Sequence, residues 1–253
     1  MARLRALLLA LPLVLGASGP ATATTLDSGH VATSAVSTAA PARAATSTVS
    51  LDGVTVRLAV DSRQVITVKH TTGYHARVSL WQRQDDSWQL RERSRAGRIG
   101  YGGLVAPHAR KQATGATPLG TYRLLWAFGR HPDSTAWALP YRRIAPGDYW
   151  VEDNASPYYN RYRNKAQGGF RWWLPMTDAN SSELLGHYVT QYEYSIVIGF
   201  NYWQPVRHRG AGIFFHVNGP GATAGCVSAP RWLLRRTMAE LDPALNPVIA
   251  IGR

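Results

Sequence analysis

The chain is 253 residues long, carries a net charge of +13 with a pI near 10.4, and holds one cysteine. A lone cysteine excludes an internal disulfide framework, and no stretch after the N-terminus is apolar enough for a transmembrane helix. A pI this high is the usual mark of a nucleic-acid binder. The N-terminus argues instead for export, which leaves anionic wall polymers and phospholipid head groups, and no nucleic acid, as the polyanions such a chain meets.

Residues 1–23 read as a secretory signal peptide: Arg3 and Arg5 give a basic start, Ala6–Leu15 a short apolar core, and Ala21-Thr22-Ala23 a small-x-small cleavage site. An uncleaved membrane tether is the alternative, although the core is short for a stable anchor. Cleavage would remove two arginines and no acid, so the mature chain stays basic. Residues 24–50, mostly Ala, Thr and Ser, hold too few large apolar residues for a core and read as a disordered linker. Residues 51–253 read as one β-rich domain. Val54, Val56, Leu58 and Val60 alternate as on a half-buried strand, and Val65–Val68 and Arg77–Trp81 continue the pattern. Asp85-Asp86-Ser87 marks a hairpin turn.

Pro118 and Gly120 set a turn from which Thr121–Phe128 leaves as a strand. Residues 129–190 are irregular and rich in Trp and Tyr, which suits a loop-built packing layer with a few rings left over for a sugar or peptide. Tyr194–Phe200 reads as a buried strand. The one helix expected runs from about Pro230 to Leu241, with Ser228 as its cap and Leu233, Leu234, Thr237, Met238 and Leu241 on one face. Val248–Ile251 reads as a final strand.

The chemistry concentrates in Ile213–Cys226. A strand delivers His216, a Gly/Pro-rich loop follows, and ten residues after the histidine comes Cys226, just upstream of the helix. That arrangement predicts a thiolate–imidazolium pair, with Cys226 as nucleophile, His216 as base, and the helix N-terminus favouring the thiolate. The N–H groups of Ala224, Gly225 and Cys226 are candidates for an oxyanion hole. Asn218 or a backbone carbonyl is the candidate to orient His216, and Asn218, Thr223 and Ser228 are the candidates for orienting the base or contacting substrate. His187, His208 and His216 are scattered and no HExxH or CxxC occurs, so no metal and no cofactor is expected.

Gly225-Cys226 after a strand-borne histidine resembles the signature of the L,D-transpeptidase catalytic domain family (the YkuD type): a His, a loop, Ser/Thr-His-Gly-Cys, a small apolar residue, then Arg or Asn. Thr117-Pro118-Leu119-Gly120-Thr121-Tyr122 is similar to that family's Thr-Pro-x-Gly-x-Phe/Tyr element. Ser156–Asn160 and Tyr194–Phe200 look like segments of actinobacterial members. The resemblance covers about residues 95–253. Ala224 stands where the family has its second histidine, Ser228 where it has Arg or Asn, and the loop is short.

The resemblance implies a mainly β catalytic domain of the cell envelope, with one helix following the cysteine. It implies that peptidoglycan stem peptides are cross-linked through a Cys226 thioester with release of D-alanine. Two alternatives stand beside it. One is a cysteine hydrolase of the same fold, a carboxypeptidase or endopeptidase; the other is a wall-binding module with a vestigial cysteine.

Overall fold

The computed structural model describes residues 46–59 and 61–253. The expected signal peptide, most of the expected linker and Val60 lie outside the described residues. The first strand, β1 (Thr46–Leu51), occupies the end of the stretch expected as linker and pairs antiparallel with β2 (Val54–Ala59). The composition hid it because Thr and Ser give no apolar alternation to read. Only Val49 and Leu51 are large and apolar, and they reach the core because the partner strand holds them there. Strand β2 alternates buried and exposed at every residue, as its sequence requires.

An antiparallel meander follows: β3 (Gln64–His70), β4 (His75–Gln84) and β5 (Ser87–Arg98), with Asp85-Asp86 at the β4–β5 turn. The short pair β6 (Leu104–Val105) and β7 (Thr117–Pro118) then leads into β8 (Gly120–Gly129). Short strands β9 (Tyr141–Arg143), β10 (Asp148–Trp150), β11 (Tyr162–Asn164) and β12 (Glu183–Leu184) punctuate the aromatic stretch. The chain ends with β13 (Tyr194–Ile198), β14 (Phe214–Val217), β15 (Val227–Ala229), α1 (Arg231–Glu240) and β16 (Val248–Gly252).

Strand order in the main sheet is β13-β14-β15-β5-β4-β3-β16-β8-β9, and β13 also pairs with β8. Eight strands therefore close into a barrel, which leaves no free edge between them, and β9 lies beside the far half of β8. The described residues thus form a mainly β fold with one α-helix.

The three largest buried clusters follow from the two-residue period of these strands. Ile66, Val68, Leu80, Ile196, Ile198, Phe215, Val217, Ile249 and Ile251 come from strands around the barrel and meet inside it, joined by Leu233, Leu234, Met238 and Leu241 of α1. Val65, Val248 and Ala250 point the other way and pack under the β1–β2 hairpin. On the outer face of β8, β13 and β14, Phe128, Val197 and Phe214 pack against Trp150 of β10 and Tyr159, Leu185 and Tyr192 from the connecting segments. Phe214 is the hub of this third layer, edge-on to Phe128, Trp150 and Tyr192 with ring centroids 5.0, 4.8 and 5.6 Å away. Most of the aromatic stretch is thus packing. Tyr101, Trp172 and Met176 instead stay exposed at the rim of a cavity, and the edge-on neighbour of Trp172, Trp173, is exposed as well.

The helix forms as its pattern requires, with four apolar or small side chains buried on one face and an Arg236–Glu240 ion pair one turn apart outside. Its cap differs from expectation. Pro230 holds the N-cap position without a side-chain bond, and Ser228 lies in β15. The fixed φ of proline starts the helix without help from a hydroxyl.

Candidate active site

Strands β14 and β15 run parallel with Phe215 opposite Val227 and His216 opposite Ser228. Cys226 immediately precedes β15, and its sulfur accepts the Phe214 N–H at 3.3 Å. Phe214 and His216 share one face of β14, so the histidine and the thiol open on the same side of the sheet. Both side chains line one cavity of about 610 Å³, within the size range of small-molecule and peptide sites.

The turn before the cysteine is built from its own residues. The Thr223 hydroxyl donates to the Cys226 carbonyl at 2.6 Å and accepts the Gly225 N–H at 3.2 Å. Gly225 has φ +130°, and a Cβ there would lie 2.8 Å from Nη2 of Arg110 and 3.0 Å from the Ala116 carbonyl, so only glycine fits. Thr117 donates to the same Cys226 carbonyl at 3.3 Å and accepts the Gly100 N–H at 2.8 Å. The Thr-Pro element and the Gly-Cys element, far apart in sequence, are thus two sides of one backbone brace. Arg98 holds the intervening loop through the carbonyls of Gly219 and Gly221.

The resting protonation states differ from the expected ion pair. Burial pushes the Cys226 thiol well above its ordinary value; Glu183 and Glu152 push it the same way, against the Phe214 N–H and Arg110. Burial lowers His216 to about 4, partly offset by its backbone hydrogen bond. The imidazole Nδ1 lies 2.8 Å from the Val217 carbonyl, which can only accept, so Nδ1 carries the proton and Nε2 is the free base. The thiol donates to the Gly212 carbonyl at 3.2 Å rather than to His216. The site at rest holds a neutral thiol and a neutral imidazole. The helix does not act on the thiol as expected, because β15 separates Cys226 from the first turn of α1, and a helix terminus acts only over its first turn.

The cavity also gathers residues that sequence spacing did not reveal. Glu183 on β12 sits opposite Trp150 of β10, and Glu152 lies two residues beyond that tryptophan, its N–H bonded to the Ser182 hydroxyl at 3.1 Å. Burial raises both carboxyls far above the usual range; for Glu152 the Glu183 charge adds to this and Arg110 opposes it, and for Glu183 the Tyr192 hydrogen bond opposes it. The Tyr192 hydroxyl donates to Glu183 at 2.5 Å, and its ring meets His216 edge-on at 5.5 Å. Arg110 completes the wall and is 5% exposed.

The family model of the L,D-transpeptidase catalytic domain, YkuD, matches residues 63–248. The chain belongs to the YkuD family. The match begins at Arg63, so the meander β3–β5 is part of the family domain and the resemblance read from about residue 95 was too narrow. Among solved structures the chain is similar to Bdellovibrio bacteriovorus Bd1075, at 15% identity and a TM-score of 0.38 over 76% of this chain and 48% of that one. The chain therefore spans about half the length of that protein. Among curated proteins, none matches.

Within this YkuD domain the sequence-derived site residues fall into two groups. Cys226, His216, Thr223 and Ala224 line the cavity. Asn218 and Ser228 do not. The Ser228 hydroxyl, fully buried, donates to Asn218 Oδ1 at 2.7 Å, and Asn218 Nδ2 donates to the Ala96 carbonyl at 2.8 Å. The two fix the loop behind the site, and the Val217 carbonyl takes the orienting role considered for Asn218. The Gly225 N–H is already bonded to Thr223, which removes it from the three expected oxyanion donors. Arg110, Glu152 and Glu183 carried no motif; the nearest signal was an acid directly after the apolar run Tyr149-Trp150-Val151.

Proposed function

We propose that this YkuD domain is an exported cysteine acyltransferase that cross-links peptidoglycan stem peptides. The observation that carries the reading is that His216 on β14 and Cys226, just before the neighbouring strand β15, face one cavity. Members of the family act on peptidoglycan peptides in general, and the residues here supply the parts of a thioester mechanism.

The thiol leaves the Gly212 carbonyl and passes its proton to His216 Nε2 as Sγ attacks the carbonyl carbon of the third stem residue. Because both groups rest neutral, proton transfer and attack are coupled to substrate binding instead of starting from a preformed thiolate. The N–H groups of Ala224 and Cys226 receive the oxygen as it gains charge. The C–N bond then breaks, the imidazolium returns its proton to the departing amine of D-alanine, and the acyl group stays on sulfur. The side-chain amine of a second stem attacks the thioester and gives its proton to His216. The thiolate leaves and regains that proton. The exposed Tyr101, Trp172 and Met176 at the cavity rim offer flat apolar surface to the rest of the substrate. Residues 1–23 carry the domain across the membrane, and its basic charge keeps it near anionic wall polymers.

The test is product analysis by mass spectrometry after incubation with tetrapeptide muropeptides. The expected products are D-alanine and a cross-linked dimer in equal amounts, both absent with Cys226→Ala. D-alanine without dimer assigns the domain as a hydrolase, and absence of both products overturns the enzymatic reading.

A further inference from the structure

Arg110 lies at the end of a short turn, Pro107–Ala109, and its side chain runs inward between two loops. Nε donates to the Ala116 carbonyl at 2.8 Å and Nη1 to the Arg209 carbonyl at 2.9 Å, while the guanidinium stacks 5.6 Å from the Phe200 ring centroid. No carboxylate of the described residues is within ion-pair distance; both acceptors are neutral carbonyls. A buried cation without a paired carboxylate carries a desolvation cost, and the acidic groups whose charge reaches Arg110 most strongly are Glu152 and the Cys226 thiol.

The chain makes room for that charge at two points. Gly210 has φ +99° and a Cβ there would lie 1.3 Å from Nη1, while the Gly225 Cβ would lie 2.8 Å from Nη2. The guanidinium is therefore clamped between the two loops that shape the cavity, one of which ends in Cys226. Nη2 has no acceptor among the described residues and is directed at the turn one residue from the thiol.

We propose that Arg110 is an electrostatic positioning residue that stabilises the Cys226 thiolate as it forms, the role that the distant helix terminus does not fill. The proposal rests on Cys226 being the nucleophile. The groups facing the thiol are Arg110 from one loop, Glu152 and Glu183 from the opposite wall, Tyr188 and Tyr192 from the segment before β13, and His216 from β14. Both glutamates and burial work against the thiolate, and Arg110 is the cation among these groups. Burial also lowers the guanidinium's own proton affinity, yet an arginine starts so high that it remains charged at any working pH, which a buried lysine does not.

Cys226 is the only cysteine, so its alkylation by iodoacetamide reads its reactivity directly, without a peptidoglycan substrate. The alkylation rate is measured against pH in the wild-type domain, Arg110→Gln and Arg110→Lys, with circular dichroism confirming the fold. Removing the charge in Arg110→Gln moves the profile to higher pH and slows alkylation at pH 8 about tenfold, one unit of thiol pKa. Arg110→Lys, shorter and lacking the Nη2 arm, slows it about threefold. If Arg110→Gln does not fold, Arg110→Met, neutral and similar in length, replaces it as the deciding variant. A folded variant with the wild-type profile overturns the proposal, because a purely structural arginine would change melting temperature and leave the profile in place. A normal cross-linking assay has no bearing on this readout. A failed cross-linking assay together with a shifted alkylation profile counts against the acyl-transfer reading and leaves the role of Arg110 standing.

Discussion

The two faces of β14 differ in what they touch. Phe215 and Val217 turn into the barrel among Ile66, Val68, Ile249 and Ile251. Phe214 and His216 turn outward to Trp150, Tyr192, the thiol and, across the cavity, Glu152, Glu183 and Arg110. Alternation along a single strand thus divides the domain into an aliphatic interior that supplies hydrophobic stability and an aromatic layer that buries ionisable groups at a cost. Substitutions on the two faces should separate stability from chemistry.

The largest effect is expected on the outer face. His216→Ala should slow cross-linking by about 10²–10⁴-fold, the usual contribution of a general base, while the melting curve stays cooperative; initial rates at saturating stem peptide measure it. On the inner face, Phe215→Ala should cost about 3–5 kcal/mol of stability through lost burial and the cavity left behind, measured by urea unfolding.

A smaller effect separates the faces by pH. Glu152 and Glu183 bind protons in the fold that the unfolded chain has released, since Glu152 is raised from 4.5 to about 8. Stability therefore falls as pH rises across that interval. His216 has the opposite sign: its folded value is about 4 against 6.5, so the unfolded chain takes up the extra proton and stability falls as pH drops from 6.5 to 4. Between pH 6.5 and 8 the carboxyls dominate, because the buried thiol and tyrosines that burial also raises begin to titrate only at higher pH. Glu152→Gln should flatten the fall in unfolding free energy between pH 6.5 and 8, which in wild type reaches up to about 1.4 kcal/mol per pH unit for each proton released. A parallel slope in the variant removes Glu152 from the titrating pair.

The smallest change tests the loop behind the site. Ser228→Ala removes one hydroxyl bond to Asn218 and should cost about 1 kcal/mol with little change in cross-linking rate. A large loss of rate would mean that Ser228 reaches the substrate.

The parts legible in sequence were those with a period or a unique residue. Alternation gave β2, the apolar stripe gave α1, and the sole cysteine with its upstream histidine drew attention to the right loop. The Thr117-Pro118-Leu119-Gly120 element was recognisable, but its contact with the Cys226 carbonyl depends on the closed barrel bringing the two loops together. Arg110, Glu152 and Glu183 come from three separate stretches of the chain and meet only in the fold, so no spacing encodes them. The thiol rests protonated because burial and Glu183 raise it, and the helix expected to favour the thiolate is separated from it by the three residues of β15, unseen in the Val-Ser-Ala run. The same three residues explain why Ser228 faces the loop and not a helix terminus.

The central claim is that Cys226 carries the acyl group. Wild-type protein is mixed with a tetrapeptide stem lacking an acceptor amine, quenched in acid within the first turnover, and digested for peptide mapping. The account predicts that the peptide containing Cys226 gains the mass of the tripeptide acyl group, that the adduct is removed by neutral hydroxylamine, and that Cys226→Ala shows none. An unmodified Cys226 peptide in protein that is releasing D-alanine, or the same adduct in the alanine variant, would contradict it.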